Sequence, residues 1–362
     1  MRAAKLIASN LLLLGGAALA LELVFGNWLQ QNPAKRIPEI ARQAGRTHTF
    51  RTNGLTGEDV EVKFSRDSEG FRGKKNDSGL RQILVIGGST AIEFVVPEPL
   101  TWAEQLEARL NKKSKSKEQP FDVINAGVAG QTLLGNKLST DLWLKHTKSI
   151  EPEIIIIYYG HNDAIYTLAD DTKTTLIDPD SKEISLKDQL LVNSAFAMLG
   201  REMKGNIAAW ALNNRHLFDY QNTYLPKNAT EFSSQTSDIK LNKSLYPQKL
   251  NGLITSVTTA WPNAKTIFVA QSNPNCFFTN HSQYHAERRN QLCEDLLAVH
   301  RHTRDTIEQF QNEGYEQLHY EPLFLDNPYD RSGSSDAIHT NSRGSAGIAE
   351  ALTPRIQKHL NP

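Results

Sequence analysis

The chain has 362 residues, of which 39% are hydrophobic and 22% are charged, a composition typical of a globular protein with a sizeable core. Forty Lys and Arg side chains balance 40 Asp and Glu side chains, so no basic surplus points to a nucleic-acid partner. The length is compatible with two domains, but an α/β fold often reaches it as one unit.

The N-terminal segment has the pattern of a membrane anchor. Arg2 and Lys5 precede an apolar run over residues 6–25, which is long enough to cross a bilayer as a helix. Basic residues before such a run keep the N-terminus in the cytoplasm, so the body is predicted to be extracytoplasmic, either periplasmic or at the cell surface. Residues 1–30 are therefore predicted to be an uncleaved signal-anchor helix. The alternative is a signal peptide cleaved after Ala20, which gives a secreted form.

Residues 31–80 are predicted to form a tether followed by short strands. Residues 32–46 are polar and contain two prolines, which favours a tether. Polar and apolar residues alternate within residues 47–73, which favours a short strand pair.

Residues 81–362 are predicted to form one α/β domain. Apolar runs predict buried strands, and the alternation of strands with helical segments predicts a parallel sheet with helices on both faces. An insertion over residues 164–245 has no clear place in the sheet, and residues 190–212 within it have helical spacing. The strands are predicted at residues 83–86, 121–124, 154–159, 266–270 and 317–320, and the helices at residues 102–110, 133–148, 246–261, 287–311 and 346–360.

Four short blocks of residues carry the chemical signal. An open α/β sheet keeps its chemistry beyond the carboxyl ends of its strands, where these blocks are predicted to lie. Taken singly, each block also fits an ordinary structural role, as a helix cap, a strand-to-helix turn or a surface loop. The blocks are Gly87-Gly88-Ser89-Thr90, Asn125-Ala126-Gly127-Val128-Ala129-Gly130, Gly160-His161-Asn162-Asp163 and Asp336-Ala337-Ile338-His339.

The first and last blocks together predict a nucleophile and its base. Two glycines allow a tight turn before Ser89, which is expected at a helix N-terminus, where an alkoxide is favoured. In the Asp-x-x-His spacing, the Asp336 carboxylate can reach Nδ1 of His339 and leave Nε2 facing a serine. The Gly-x-Ser-x-Gly motif of α/β-hydrolases does not occur around Ser89, which argues against that fold.

The four blocks, in this order, resemble the SGNH hydrolase (GDSL-type esterase) superfamily, in particular members with Gly-Gly-Ser-Thr in place of Gly-Asp-Ser. Gly70-Phe71-Arg72-Gly73 is similar to an element that often precedes the first block in such members. The resemblance implies a flavodoxin-like three-layer α/β/α sandwich with a five-stranded parallel sheet. It also implies a catalytic triad of Ser89, Asp336 and His339 and an oxyanion hole formed by Ser89, Gly130 and Asn162.

The predicted function is an extracytoplasmic, membrane-anchored serine esterase that hydrolyses a small-molecule or saccharide ester of a short acyl chain, such as acetyl. Two alternatives stay open. One is an O-acetyltransferase that passes the acyl group to an envelope polysaccharide, and the other is a non-catalytic carbohydrate-binding or assembly protein. The insertion is predicted to set substrate choice. The apolar face of residues 191–203 is expected to cover the site as a lid or to lie against the bilayer, and the alternative is that it packs on the core. No cofactor is expected, and the oligomeric state is not predicted.

The cysteines and isolated histidines do not predict a metal site. Cys276 and Cys293 lack metal-ligand spacing and predict a disulfide if the body is exported, or free thiols if it is cytosolic. His161 is expected to be structural, with its side chain directed away from Asn162. Five further histidines are expected on polar loop or helix faces at the surface. They are His216, His281, His285, His300 and His302.

Overall fold

The computed structural model describes residues 2–28, 32–52, 59–73, 79–113, 119–166, 245–271, 286–322 and 338–360, together with residues 190, 193–197, 199–200, 203, 276 and 333–334. The strands are β1 (Thr47–Arg51), β2 (Glu61–Ser65), β3 (Arg81–Gly87), β4 (Phe121–Asn125), β5 (Pro152–Tyr159), β6 (Lys265–Ala270) and β7 (Leu318–Glu321). The helices are α1 (Arg2–Phe25), α2 (Pro38–Gln43), α3 (Ser89–Ile92), α4 (Trp102–Lys113), α5 (Leu133–Leu142), α6 (His161–Tyr166), α7 (Leu245–Ala260), α8 (Ala286–Asn312) and α9 (Ser342–Leu360).

Five strands form one parallel sheet in the order β4-β3-β5-β6-β7. A parallel sheet covered on both faces requires nearly continuous apolar strands. Residues 154–157 of β5 are four isoleucines, each at most 1% exposed. The predicted five-stranded parallel sheet is confirmed, and its strand order is that of flavodoxin-like folds.

Helices cover both faces of this sheet. Successive residues of β3 point to opposite sides, so Ile83 and Val85 pack with side chains of α4 and α9. Leu84 and Ile86 pack with side chains of α5, α7 and α8. Burying one such side chain contributes about 1.5–3 kcal/mol relative to exposing it. The arrangement is the predicted three-layer α/β/α sandwich.

Residues 32–46 pack against the domain, so the prediction of a tether is wrong for them. Ala34, Ile37 and Ile40 are fully buried and belong to the same apolar cluster as Trp143. Ala34 lies in a 3-10 helix, Ile40 lies in α2, and Ile37 is the extended residue between the two helices. Each helix begins with a proline, which fits a first helical turn. The strand pair predicted after this segment is confirmed as the antiparallel pair β1–β2.

Two helices differ from their predicted bounds by four or more residues. α5 ends at Leu142, because Trp143 leaves the helical conformation with φ of −120° and ψ of −66° and buries its ring. α9 begins at Ser342, before its apolar periodicity starts. The side chain of Asn341 accepts the N–H groups of Arg343 and Gly344, each at 3.1 Å, and so caps the earlier first turn.

The N-terminal helix α1 is apolar and unburied. Its segment Lys5–Phe25 spans 21 residues with a mean hydropathy of 1.9, and none of its most apolar stretch is buried. Length and composition therefore fit either a membrane anchor or a signal peptide.

The last turn of α1 is bonded to the insertion. The carboxylate of Glu22 accepts hydrogen bonds from the Ser194 hydroxyl at 2.6 Å and from the backbone N–H groups of Ala195 and Phe196 at 3.0 and 3.2 Å. These groups lie at the start of a helical segment, so the side chain of Glu22, which belongs to a different helix, caps the N-terminus of that segment. Most of the insertion lies outside the described residues, and its role as a lid or a bilayer contact stays a prediction.

Cys276 and Cys293 are joined by a disulfide, which is one of the two alternatives that the sequence left open. The bond attaches Cys276 to α8 across a sequence separation of 17 residues. In the chain-entropy description, closing a loop of about 15 residues stabilises a fold by about 3 kcal/mol.

Candidate active site

The first and last sequence blocks meet beyond the carboxyl edge of the sheet. Ser89 begins α3 directly after β3, and His339 lies just before α9. Nε2 of His339 is 2.8 Å from Oγ of Ser89, although 250 residues separate the two in the chain. An imidazole at this distance can accept the hydroxyl proton when the serine oxygen attacks.

The helix that follows Ser89 is a single turn. α3 has four residues and is followed by Glu93, which has a left-handed backbone conformation. So short a helix has only a small macrodipole, and the expected stabilisation of an alkoxide by a helix N-terminus is correspondingly small. If negative charge develops beside Ser89, individual hydrogen-bond donors must therefore supply most of its stabilisation.

Two hydrogen bonds to backbone carbonyls hold the loop that carries His339. The hydroxyl of Ser334 donates to the carbonyl of His339 at 2.9 Å, and the N–H of Asn341 donates to the carbonyl of Gly333 at 3.0 Å. Asp336 lies outside the described residues. The pairing of its carboxylate with Nδ1 of His339 therefore stays a prediction.

The side-chain amide of Asn162 lies against the turn that carries Ser89. Its Nδ2 donates to the carbonyl of Gln131 at 2.9 Å. A Cβ placed on Gly88 would lie 2.7 Å from the same nitrogen, so this position of the amide requires a glycine at 88. An amide nitrogen carries two hydrogens, and Asn162 can therefore donate the second one to an oxyanion.

Gly130 borders open space at the same edge of the sheet. Its φ of +76° lies in the left-handed region that favours glycine. A Cβ at this position would meet no atom of the described residues within 4 Å, so a substrate can approach the backbone there. The next residue, Gln131, is bonded to Asn162, and this bond keeps the second and third blocks together.

Asp163 connects the third block to α5, a role that no sequence pattern indicated. Its side chain is buried, and Oδ1 accepts the N–H of Leu133, the first residue of α5, at 2.8 Å. The bond fixes the start of α5 and hence the turn that follows Gly130. Burial raises the pKa of Asp163 to about 7, although backbone N–H donors act to lower it. The neighbouring His161, expected to be structural, is also buried.

Arg72, from the Gly-Phe-Arg-Gly element, holds the carbonyl groups at the end of the turn that carries Ser89. Its buried guanidinium donates to the carbonyls of Ile92, Glu93 and Val96, the last at 2.7 Å. Carbonyls at a helix C-terminus otherwise lack partners. Burial lowers the pKa of Arg72 to about 10, which leaves the side chain protonated at neutral pH.

His300 is buried under β5, so its predicted position at the surface is wrong. Its Nδ1 lies 3.3 Å from the hydroxyl oxygen of Tyr159, and a Cβ on Gly160 would lie 2.7 Å from its ring. His300 is buried because it lies on the side of α8 that packs against the sheet. Burial lowers the pKa of His300 to about 4, so the ring is neutral. His300 also borders a cavity of about 480 Å³ beside β7, at the far edge of the sheet from Ser89.

Within the described part of the chain, no three His, Cys, Asp or Glu side chains lie close enough together to hold a metal ion. Of the other four histidines predicted at the surface, His302 is half-buried on α8, and three lie outside the described residues. These three are His216, His281 and His285.

The described residues of the four blocks follow β3, β4 and β5 or precede α9, and they converge at one edge of a five-stranded parallel sheet. That is the arrangement implied by the resemblance to SGNH hydrolases. The chain has the three-layer α/β/α fold with a five-stranded parallel sheet.

Solved structures similar to this chain are lipases and esterases. A protein described as a GDSL-like lipase, from Bacteroides ovatus, is 13% identical over 79% of this chain and 55% of its own, with a TM-score of 0.42. The psychrotrophic esterase EstA from Pseudoalteromonas sp. is 14% identical over 78% of this chain and 100% of its own, with a TM-score of 0.39. A family 3 carbohydrate esterase from Clostridium thermocellum is 14% identical over 78% of this chain and 100% of its own, with a TM-score of 0.40.

The chain spans about half the length of the Bacteroides ovatus protein. No protein-family model matches the chain, and no curated protein matches its sequence. The likeness to the solved structures is distant, and the proposal for function rests on the residues of the site.

Replacing Asp163 with Asn is expected to change how stability depends on pH. A carboxyl group whose pKa is raised from 3.8 to about 7 by burial contributes stability that is complete below the lower value and is lost as the pH rises toward 7. Asp163→Asn removes this loss. The unfolding free energy of the variant, relative to that of the wild type, should therefore rise from about pH 4 to pH 7 in urea titrations.

Asp141→Asn is a control with the opposite sign. Partial burial acts to raise the pKa of Asp141, but the hydrogen bond and charge of Lys137 outweigh burial and lower it. The stability lost in Asp141→Asn should therefore be complete at neutral pH and should shrink as the medium becomes acidic. The same pH trend in both variants would contradict the assignment for Asp163.

Proposed function

We propose that the chain is a membrane-anchored serine hydrolase of acyl esters whose body lies outside the cytoplasm. The observation that carries the proposal is the 2.8 Å contact between Nε2 of His339 and Oγ of Ser89 at the carboxyl edge of the sheet. A serine hydroxyl bonded to an imidazole, with amide donors beside it, has the parts that acyl transfer requires.

In the proposed mechanism, Ser89 attacks the acyl carbonyl while His339 takes the hydroxyl proton. Asp336 orients His339 and stabilises the imidazolium. The backbone N–H groups of Ser89 and Gly130 and the amide of Asn162 hold the negative charge of the tetrahedral intermediate. His339 then gives its proton to the leaving alcohol, and a water molecule releases the acyl group in a second cycle of the same steps.

The acceptor of the acyl group separates hydrolysis from transfer. Water as acceptor gives an esterase, whereas a sugar hydroxyl gives an O-acetyltransferase with the same nucleophile and base. Incubation with an activated acetyl ester, with and without a polysaccharide acceptor, distinguishes the two. Free acetate in both samples supports hydrolysis, and an acetylated saccharide formed at the expense of acetate supports transfer.

Ser89→Ala is expected to abolish hydrolysis of p-nitrophenyl acetate, because the hydroxyl is the proposed nucleophile. Loss of a triad nucleophile lowers kcat on the order of 10⁴-fold or more. The thermal unfolding midpoint should stay near that of the wild type, and an alkyl phosphonate probe should label the wild type at Ser89 alone.

Ser149→Ala is the matched control. Its hydroxyl donates to Glu69 at 2.6 Å near the amino end of β5, away from the proposed site. This variant should keep the wild-type turnover. Full turnover by Ser89→Ala would refute the proposed nucleophile.

Asn162→Ala is expected to lower kcat by about 10²–10³-fold with little change in KM, because an oxyanion donor acts mainly in the transition state. The control is Asn111→Ala. Asn111 also bonds backbone groups, those of Phe121, but at the amino end of β4. A variant of Asn162 that changes only KM would make this residue a substrate-positioning group instead.

Two observations support the extracytoplasmic location. The helix α1 fits an anchor or a signal peptide, and Arg2 and Lys5 lie near its N-terminal end, where basic residues favour retention in the cytoplasm. The disulfide between Cys276 and Cys293 is of a kind that forms and persists in oxidising compartments outside the cytoplasm.

Protease added to intact spheroplasts should therefore digest the body, and the membrane fraction should keep the N-terminal helix. Thiol alkylation without reductant should leave Cys276 and Cys293 unmodified in the exported protein. Protection of the body from protease would contradict the proposed topology. A mature N-terminus at Leu21 would show a cleaved signal peptide instead of an anchor.

A further inference from the structure

Glu93 is the residue at which the turn carrying Ser89 ends. Its N–H donates to the carbonyl of Ser89 at 2.9 Å and closes that turn. Its side chain is 3% exposed. Among the described residues, it is the one non-glycine residue with a positive φ, which is +50°. A buried glutamate in a conformation that favours glycine calls for a specific contact of the side chain.

The carboxylate of Glu93 makes such contacts with three separate elements. One oxygen accepts the backbone N–H of Trp102, the first residue of α4, at 2.6 Å. The other oxygen accepts the hydroxyl groups of Thr340 and Ser345. Thr340 directly follows His339, and Ser345 lies in the first turn of α9. One carboxylate therefore joins the turn of the proposed nucleophile to the loop of the proposed base.

Burial and hydrogen bonding act on the pKa of Glu93 in opposite directions. Burial dominates and raises the pKa to about 7. The hydrogen bonds from Ser345, Thr340 and Trp102 act to lower the pKa, as does the positive charge of Arg72, which also donates to the backbone carbonyl of Glu93. A carboxylate with this set of donors is restricted to one position, since each donor points at a fixed oxygen.

We propose that Glu93 is a positioning residue for the ester hydrolysis proposed above, and that its carboxylate holds the His339 loop at proton-transfer distance from Ser89. The inference rests on the proposed function. It explains why glutamate occupies a left-handed position, because glycine has no side chain with which to bond Thr340 and Ser345. Glu93 itself touches neither the substrate nor the reacting atoms.

Glu93→Gly separates the backbone from the carboxylate. Glycine adopts the positive φ without strain, so a purely conformational role predicts unchanged turnover of p-nitrophenyl acetate. A positioning role predicts a loss of about 100-fold in kcat with KM within about two-fold of wild type, because a shift of about 1 Å in the base has that effect. Glu93→Gln retains an oxygen for Thr340 and Ser345 and should recover part of the lost kcat.

A double-mutant cycle tests the connection between Glu93 and Thr340. Thr340→Val removes the hydroxyl with little change in shape and should also lower kcat. In the combination of Glu93→Gly with Thr340→Val, the two losses should not add, because both remove the same contact. Glu107→Gln is the control. Glu107 is a half-buried carboxylate that accepts the N–H of Val123 in β4 at 2.7 Å and has no contact with the Ser89 turn or the His339 loop among the described hydrogen bonds. Its replacement should therefore leave kcat unchanged.

The outcomes separate the inference from the proposed function. Wild-type kcat in Glu93→Gly or in Thr340→Val overturns the inference while Ser89-dependent turnover persists. If Glu93→Gly fails to fold, which circular dichroism detects, Thr340→Val and Glu93→Gln still decide the question by their kcat. Absence of any Ser89-dependent turnover in the wild type overturns the proposed function, and the inference with it.

Discussion

The parallel register of β3, β4 and β5 determines where the residues of the site lie. Val85 pairs with Asn125 across β3 and β4, and Gly87 pairs with Tyr158 across β3 and β5. The three strands therefore end at nearly the same level, and the residues after them emerge side by side. This register therefore determines the position of Ser89 relative to the residues of the second and third blocks. The loop with the proposed base follows no such strand end in the described part of the chain, and polar contacts must hold it instead.

Those polar contacts are buried and connect separate elements. Asp163 bonds the start of α5, Arg72 bonds the carbonyls after α3, and Glu93 bonds α4 and the first turn of α9. A satisfied hydrogen bond contributes only about 1 kcal/mol to net stability, whereas a buried partner left unsatisfied costs about 1–3 kcal/mol. Such groups therefore raise the free energy of alternative loop arrangements, in which they lack partners, by more than they lower that of the native arrangement. In the proposed mechanism, these contacts keep Ser89 and His339 at the distance that proton transfer requires.

The sequence was sufficient for the sheet and for the placement of the motif blocks, because apolar runs and strand–helix alternation are local signals. The four consecutive isoleucines of β5 predict a buried strand without reference to the rest of the chain. The tether predicted for residues 32–46 was wrong because their few apolar side chains are buried against Trp143, which is distant in the sequence. The buried contacts of Glu93, Asp163 and His300 could not be predicted for the same reason, since a titratable side chain is expected to be exposed unless its distant partners are known. The pairing of Asp336 with His339 stays a prediction from spacing alone.

The glycine at position 88 illustrates how two blocks depend on each other. A Cβ there would lie 2.7 Å from the amide nitrogen of Asn162, so any side chain at 88, such as the Asp of Gly-Asp-Ser, would require the amide to lie elsewhere. In this chain, Gly88 permits the Asn162 amide to bond Gln131 while it lies against the turn that carries Ser89. The departure from Gly-Asp-Ser is thus coupled to the position of a proposed oxyanion donor, and a change at residue 88 should act on catalysis through Asn162.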